Sequence, residues 1–188
     1  MVATPVKNLT LESFLALPET KPASEYIDGK IVEKPMPQGK HSIIQTKLII
    51  FINSLLLESK IAIALSELRC TFGGRSIVPD VVVLKNENIP KDEDGEVANV
   101  VTIAPDLVIE ILSPDQSTIK VIKNILHCLD HGTEVGWLID PAEKMILVYQ
   151  PDRQVQVVDI LEAELIVPEF ARSVKLNPGD IFNWLKLT

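Results

Sequence analysis

Val78-Pro79-Asp80-Val81-Val82-Val83 and Leu107-Val108-Ile109-Glu110-Ile111-Leu112 are apolar runs of strand length, and each carries a single carboxylate. A strand covered on both faces reads as a near-continuous hydrophobic run, so an acid inside one needs a compensating partner. Burying an ionised carboxylate costs on the order of several kcal/mol unless a cation or dense hydrogen bonding offsets it. One divalent cation shared by Asp80 and Glu110 would serve both. Carboxylates are hard ligands, and no thiolate or paired imidazole set accompanies these two, which favours magnesium, manganese or calcium over zinc. The competing reading puts each acid at the solvated end of its strand, capping a loop.

Working outward from these strands, Ser113-Pro114-Asp115 breaks the second run, and Ser117 to His131 then has helical spacing. Its apolar stripe is Ile119, Ile122, Ile125, Leu126 and Leu129, with Gly132 at its end. Val135 to Asp140 is a further strand, so strand, helix and strand follow with short links and the two strands are expected to run parallel. Upstream, Ile61 to Phe72 and Ser76 to Leu84 read as an antiparallel pair turned at Gly73-Gly74. His41 to Glu58 lacks Gly and Pro and is apolar around most of its circumference, as a helix buried between layers is. Glu25 to Glu33 reads as a hairpin turned at Asp28-Gly29, closed off by Pro35 and Pro37. A short leading helix over Leu9 to Leu17, capped by Thr10, precedes it. Met145 to Tyr149, Val155 to Ile160 and a short helix near Ile181 to Leu185 complete an α/β fold: a mixed sheet with helices on its faces. Lys85 to Val97 is a solvated loop.

A chain of 188 residues suits one domain with a full core, and 46% hydrophobic with 23% charged residues is ordinary for a globular protein. Leu48 to Leu57, the longest apolar stretch, is interrupted by Asn53 and Ser54 and falls short of the roughly 20 residues a bilayer requires. Met1 to Pro5 lacks the basic and apolar pattern of a secretory signal, and Cys70 and Cys128 are too few and too far apart for a disulfide framework. Both features point to a cytoplasmic protein with reduced thiols. A net charge of -8 argues against a protein whose whole surface binds nucleic acid. Lys30, Lys34, Lys40, Lys47, Arg69 and Arg75 are concentrated in the N-terminal half, as one local groove or as a scattered solvated surface.

On the helix after the Glu110 strand, Gln116, Lys120, Lys123 and His127 fall within one polar arc. Lys123 lies at the border of that arc, where a lysine folds its stem over the sheet and delivers its ammonium inward, while Lys120 points more nearly away. A solvated helix face accounts for Lys123 equally well and for Lys120 better. His41 and Gln45, four apart on the long helix, read as a core-facing pair with the outer shell of a metal or a phosphate as the second possibility. His127 and His131 are also four apart, but Cys128 points about 80–100° off their face, so a zinc clamp is disfavoured. No Gly-x-Ser-x-Gly elbow and no phosphate loop is present.

Glu25-Tyr26-Ile27-Asp28-Gly29, Pro79 to Val83, Ile109 to Pro114, Lys123 through His127 with Gly132, and Gly136-Trp137-Leu138-Ile139-Asp140-Pro141 together resemble the successive motifs of the Uma-two family. That family of restriction-endonuclease-like proteins belongs to the PD-(D/E)XK nuclease superfamily. The resemblance runs from about Glu25 to Tyr149. It implies a restriction endonuclease-like core with an N-terminal β-hairpin, Asp80 and Glu110 as ligands of magnesium (or manganese), Glu25 near the metal, and a lysine in the active site. The superfamily's usual lysine position, two residues after the second acid, is Leu112 here. The lysine is therefore expected to migrate to the helix, as Lys123 or alternatively Lys120. The activity implied is phosphodiester hydrolysis in DNA, by a homodimer, since cutting both strands is most simply done across a two-fold axis. Leu112 and the acidic balance also admit a second reading, a catalytically inactive nuclease fold that binds nucleic acid or a protein partner.

Overall fold

The computed structural model describes residues 9–114 and 116–186. Residues 1–8, Asp115 in the break after the Glu110 strand, and residues 187–188 lie outside the described residues. In chain order the elements are α1 Leu11–Leu15, β1 Ser24–Ile27, β2 Lys30–Glu33, α2 Gly39–Leu56, β3 Ala62–Ser66, β4 Cys70–Phe72, β5 Arg75–Ile77 and β6 Val81–Lys85. β7 Leu107–Ile111, α3 Thr118–Leu129, β8 Val135–Asp140, β9 Met145–Tyr149, β10 Gln156–Val158 and α4 Pro178–Asn183 follow. No helix among the described residues is long and apolar enough to cross a membrane.

The strands form a six-stranded mixed sheet in the order β10-β9-β8-β7-β6-β3 and a four-stranded antiparallel sheet in the order β2-β1-β5-β4. This is a mixed α/β architecture of the restriction endonuclease-like kind. As the strand-helix-strand spacing requires, β7 and β8 are parallel, paired from Leu107 with Val135 to Ile111 with Ile139, and α3 makes the crossover. The Asp28-Gly29 hairpin also forms, with both turn residues at positive φ, 51° and 81°. Thr10 caps α1 in a reciprocal capping box with Ser13.

Residue alternation on the central strands separates two cores. Leu107, Ile109 and Ile111 of β7, with Val81 and Val83 of β6, face Ile44, Leu48, Ile52 and Leu56 of α2. Val108 and Val82 face the other way, against Val121, Ile125 and Cys128 of α3 and Cys70 and Ile77 of the small sheet. The two cysteines are free and buried. Close approach of α3 depends on Gly136 of β8, where an added Cβ would lie 2.4 Å from Ile125 Cγ2. Gly136→Ala is expected to lower stability by about 1–3 kcal/mol through overpacking, measured as a shift in the denaturant midpoint with unchanged slope.

The long hairpin expected over Ile61 to Leu84 needs correction. Its register is as anticipated and continuous, since Ala62 pairs with Lys85, Ser66 with Val81 and Cys70 with Ile77. The ladder is nonetheless broken in the middle, and the two ends belong to different sheets. Pro79 offers no N–H to the ladder, and Glu67 opposite the break takes a positive φ of 48°. Only the bond from Glu67 N–H to the Asp80 carbonyl, 3.2 Å, spans the interruption. The split leaves the Val78 carbonyl and the Asp80 side chain facing the seam between the two sheets, and the site is built there.

Candidate active site

Asp80 immediately precedes β6, and Glu110 lies in β7. The β6–β7 register, with Val81 opposite Ile109, continues to set Asp80 opposite Glu110, so the two side chains project from the same face. That face is the one carrying Val82 and Val108, toward α3 and the small sheet. Both acids are 2% exposed. Asp80 Oδ2 accepts the Ile111 N–H at 2.8 Å, a donor that continuation of the ladder would have set opposite Pro79. Asp80 is therefore held as a replacement for a missing rung.

The lysine that reaches both carboxylates is Lys34, the residue after β2. Its Nζ donates to Asp80 Oδ1 at 2.8 Å and to the Val78 carbonyl at 2.7 Å, and stands 3.5 Å from Glu110 Oε2. Lys123 is exposed on α3, and Lys120, also exposed, stands on the wall of the cleft that contains Lys34, Glu25 and Glu110. The helix lysines expected from the sequence thus do not fill the position between the acids. Alternation puts Lys34 on the same side of the hairpin as Val32, the less exposed residue of β2, but says nothing of what that side meets.

Burial by itself would weaken the hold of Lys34 on its proton, but the surrounding Glu110, Asp80 and Glu25 more than reverse this and push its pKa well above the usual value. For Asp80, burial pushes upward, and the Lys34 ammonium together with His41 outweighs it, holding the carboxyl far below the usual range. Glu110 goes the other way. Its burial, reinforced by the charges of Asp80 and Glu25, raises it well above the usual value despite Lys34. One ammonium does not balance three buried acids.

His41 and Gln45 are more than a core-facing pair. Gln45 Nε2 donates to the Asp80 carbonyl at 2.8 Å. His41 Nε2 stands 3.4 Å from Asp80 Oδ1, and its Nδ1 shares a 3.0 Å hydrogen bond with Ser113 Oγ. The start of α2 therefore fixes Asp80 from behind. Arg69 pairs with Glu19 and Arg75 with Asp28 at the surface. His127 and His131 bond to the carbonyls of Phe72 and His127, respectively.

Glu25 of β1 is 3% exposed, and both its oxygens are engaged: Oε1 accepts the Val78 N–H at 2.8 Å and Oε2 the Asn124 side-chain amide at 3.2 Å. Among the described residues no group of three or more His, Cys, Asp or Glu is arranged to hold a metal ion. Through these two bonds Glu25 supports the Val78 backbone and Asn124. Asp80 and Glu110, which the Lys34 ammonium joins, are two hard carboxylates in a region with surplus negative charge, which fits magnesium or manganese with most of its shell filled by water or substrate.

The family model described as Uma2, "Putative restriction endonuclease", matches residues 11–177. The chain belongs to this family. A crystal structure described as "a putative nuclease belonging to DUF820", from Anabaena variabilis ATCC 29413, is similar at 56% identity and a TM-score of 0.93, covering 95% of this chain and 99% of that one. Comparison with curated proteins gives no match. Family and neighbour together support nuclease function in general. Within the Uma2 match, the acids lie on β7 and just before β6, and the lysine that joins them comes from the N-terminal hairpin.

Proposed function

We propose that the protein is a metal-dependent endonuclease that hydrolyses phosphodiester bonds in DNA. The observation that carries this reading is the Lys34 ammonium set between Asp80 and Glu110 on the wall of an open cleft of about 350 Å³. Asp80 and Glu110 would hold magnesium or manganese, which when bound neutralises phosphate charge and lowers the pKa of a water. Lys34 keeps its proton throughout and directs N–H donors at a phosphate oxygen or the attacking water, stabilising charge as it develops. The Ile111 N–H, Gln45 and His41 keep Asp80 from turning away. The N-cap of α3, Ser117, stands on the wall of this cleft and makes no side-chain capping bond, and a free helix N-terminus favours phosphate. Lys120 stands on the same wall and suits the backbone of the substrate. Acting as a homodimer would bring two such centres to the two strands of a duplex.

The test is incubation of supercoiled plasmid with the purified protein and magnesium or manganese. Nicked and linear products that vanish with chelator are expected. Intact plasmid under every cation, with DNA retained in a gel-shift assay, would replace this reading with the inactive, nucleic-acid-binding one.

A further inference from the structure

We propose that Asn124 of α3 is a positioning residue, the second seat of the Lys34 ammonium when a divalent cation occupies the Asp80–Glu110 pair. The inference rests on the metal-dependent reading above. Among the described residues, two buried side-chain polar atoms lack a hydrogen-bond partner, His41 Nε2 and Asn124 Oδ1, and both belong to this site. His41 Nε2 at least faces Asp80 Oδ1. Asn124 is 7% exposed, and its Nδ2 is committed to Glu25. Its Oδ1 is a bare acceptor, and leaving one buried costs stability. That cost is recovered if another state of the site brings it a donor.

Lys34 is the donor at hand. It lines the same cleft as Asn124, Glu25 and Glu110. Its ammonium rests on Asp80 Oδ1, the Val78 carbonyl and Glu110 Oε2, of which the two carboxylate oxygens are those a divalent cation would claim. Two cations cannot share Asp80 Oδ1 without strong repulsion in so buried a place. A lysine carries three donors on a flexible four-carbon stem, so its ammonium can leave the acids without leaving the cleft. Asn124 Oδ1 offers a neutral oxygen there, next to the Glu25 carboxylate. Lys34 then stays beside the scissile phosphate rather than swinging into solvent.

The experiment is a double-mutant cycle on manganese affinity, measured calorimetrically on the wild type, Asn124→Leu, Lys34→Met and the double variant. With Lys34 present, Asn124→Leu is expected to weaken manganese binding about tenfold, the low end for partners outside a metal's own ligands. In the Lys34→Met background the same change is expected to have no effect, because no ammonium needs a seat. Asn124→Asp, which keeps the oxygen, should bind manganese at least as tightly as the parent. Thermal unfolding without metal checks each variant, and Lys34→Gln replaces Lys34→Met if the latter does not fold. An equal loss in both backgrounds, or no loss in either, overturns the proposal. Absence of manganese binding by the wild type removes the metal-dependent reading itself, and the inference with it.

Discussion

Lys34→Met is expected to reduce DNA cleavage by about 10²–10³-fold, the usual consequence of removing one donor aimed at developing charge. Lys123→Ala should leave cleavage within about twofold, because its side chain is exposed on α3 and surface groups away from a site contribute little. Lys120→Ala should raise the KM for DNA and flatten its salt dependence with little change in kcat, as the loss of one phosphate contact does. Lys34→Arg is not expected to rescue. The cleft that Lys34 shares with Glu110 and Asn124 suits a compact ammonium on a flexible stem, and a planar guanidinium presents its donors differently. Cleavage rates of the four variants under one set of conditions would settle the lysine's identity. Equal activity of wild type and Lys34→Met, with loss in Lys123→Ala, would return the role to the helix.

The two acids were legible because a lone carboxylate inside an apolar run has few explanations, and the parallel β7–β8 pair followed from strand, helix and strand with short links. The lysine was not legible from spacing. Lys34 and Asp80 are brought together by the break at Pro79, which sends the two ends of one hairpin into different sheets and carries β1 and β2 to the seam. Sequence shows Pro79, but a proline inside an apolar run is compatible with an edge strand, a bulge or a sheet boundary. Which of these holds depends on pairing between β1 and β5, joined at the single pair Tyr26 and Ser76, a long-range contact with no local pattern. Gln45 was visible as half of a polar pair with His41 on an apolar helix, but its partner, a main-chain carbonyl, leaves no sequence pattern. The same limit applies to Glu25. Its place near the two acids was implied by resemblance, but its partners, the Val78 N–H and Asn124, are fixed only by the assembled seam.

Asp80 separates catalysis from folding, because its carboxylate does two things with two oxygens. Oδ2 takes the Ile111 N–H and Oδ1 takes the Lys34 ammonium. Asp80→Ala removes both acceptors at a position 2% exposed, leaving a buried N–H unpaired and a buried cation without its nearest counter-charge. Breaking such a pair from one side costs about 3–5 kcal/mol, a large share of the stability of a domain of this size. Asp80→Asn keeps the volume and an oxygen for Ile111, so it should lose no more than about half of that. Cleavage is expected to fall at least about 10³-fold in both variants, because neither supplies the negative charge that a divalent cation needs. Denaturant titration paired with plasmid cleavage therefore gives two different rankings, wild type above Asn above Ala for stability, and wild type far above an equal pair for activity. If Asp80→Asn cleaved like the wild type, Asp80 would be a structural rung alone, and Glu110 with Lys34 would have to carry the chemistry without it.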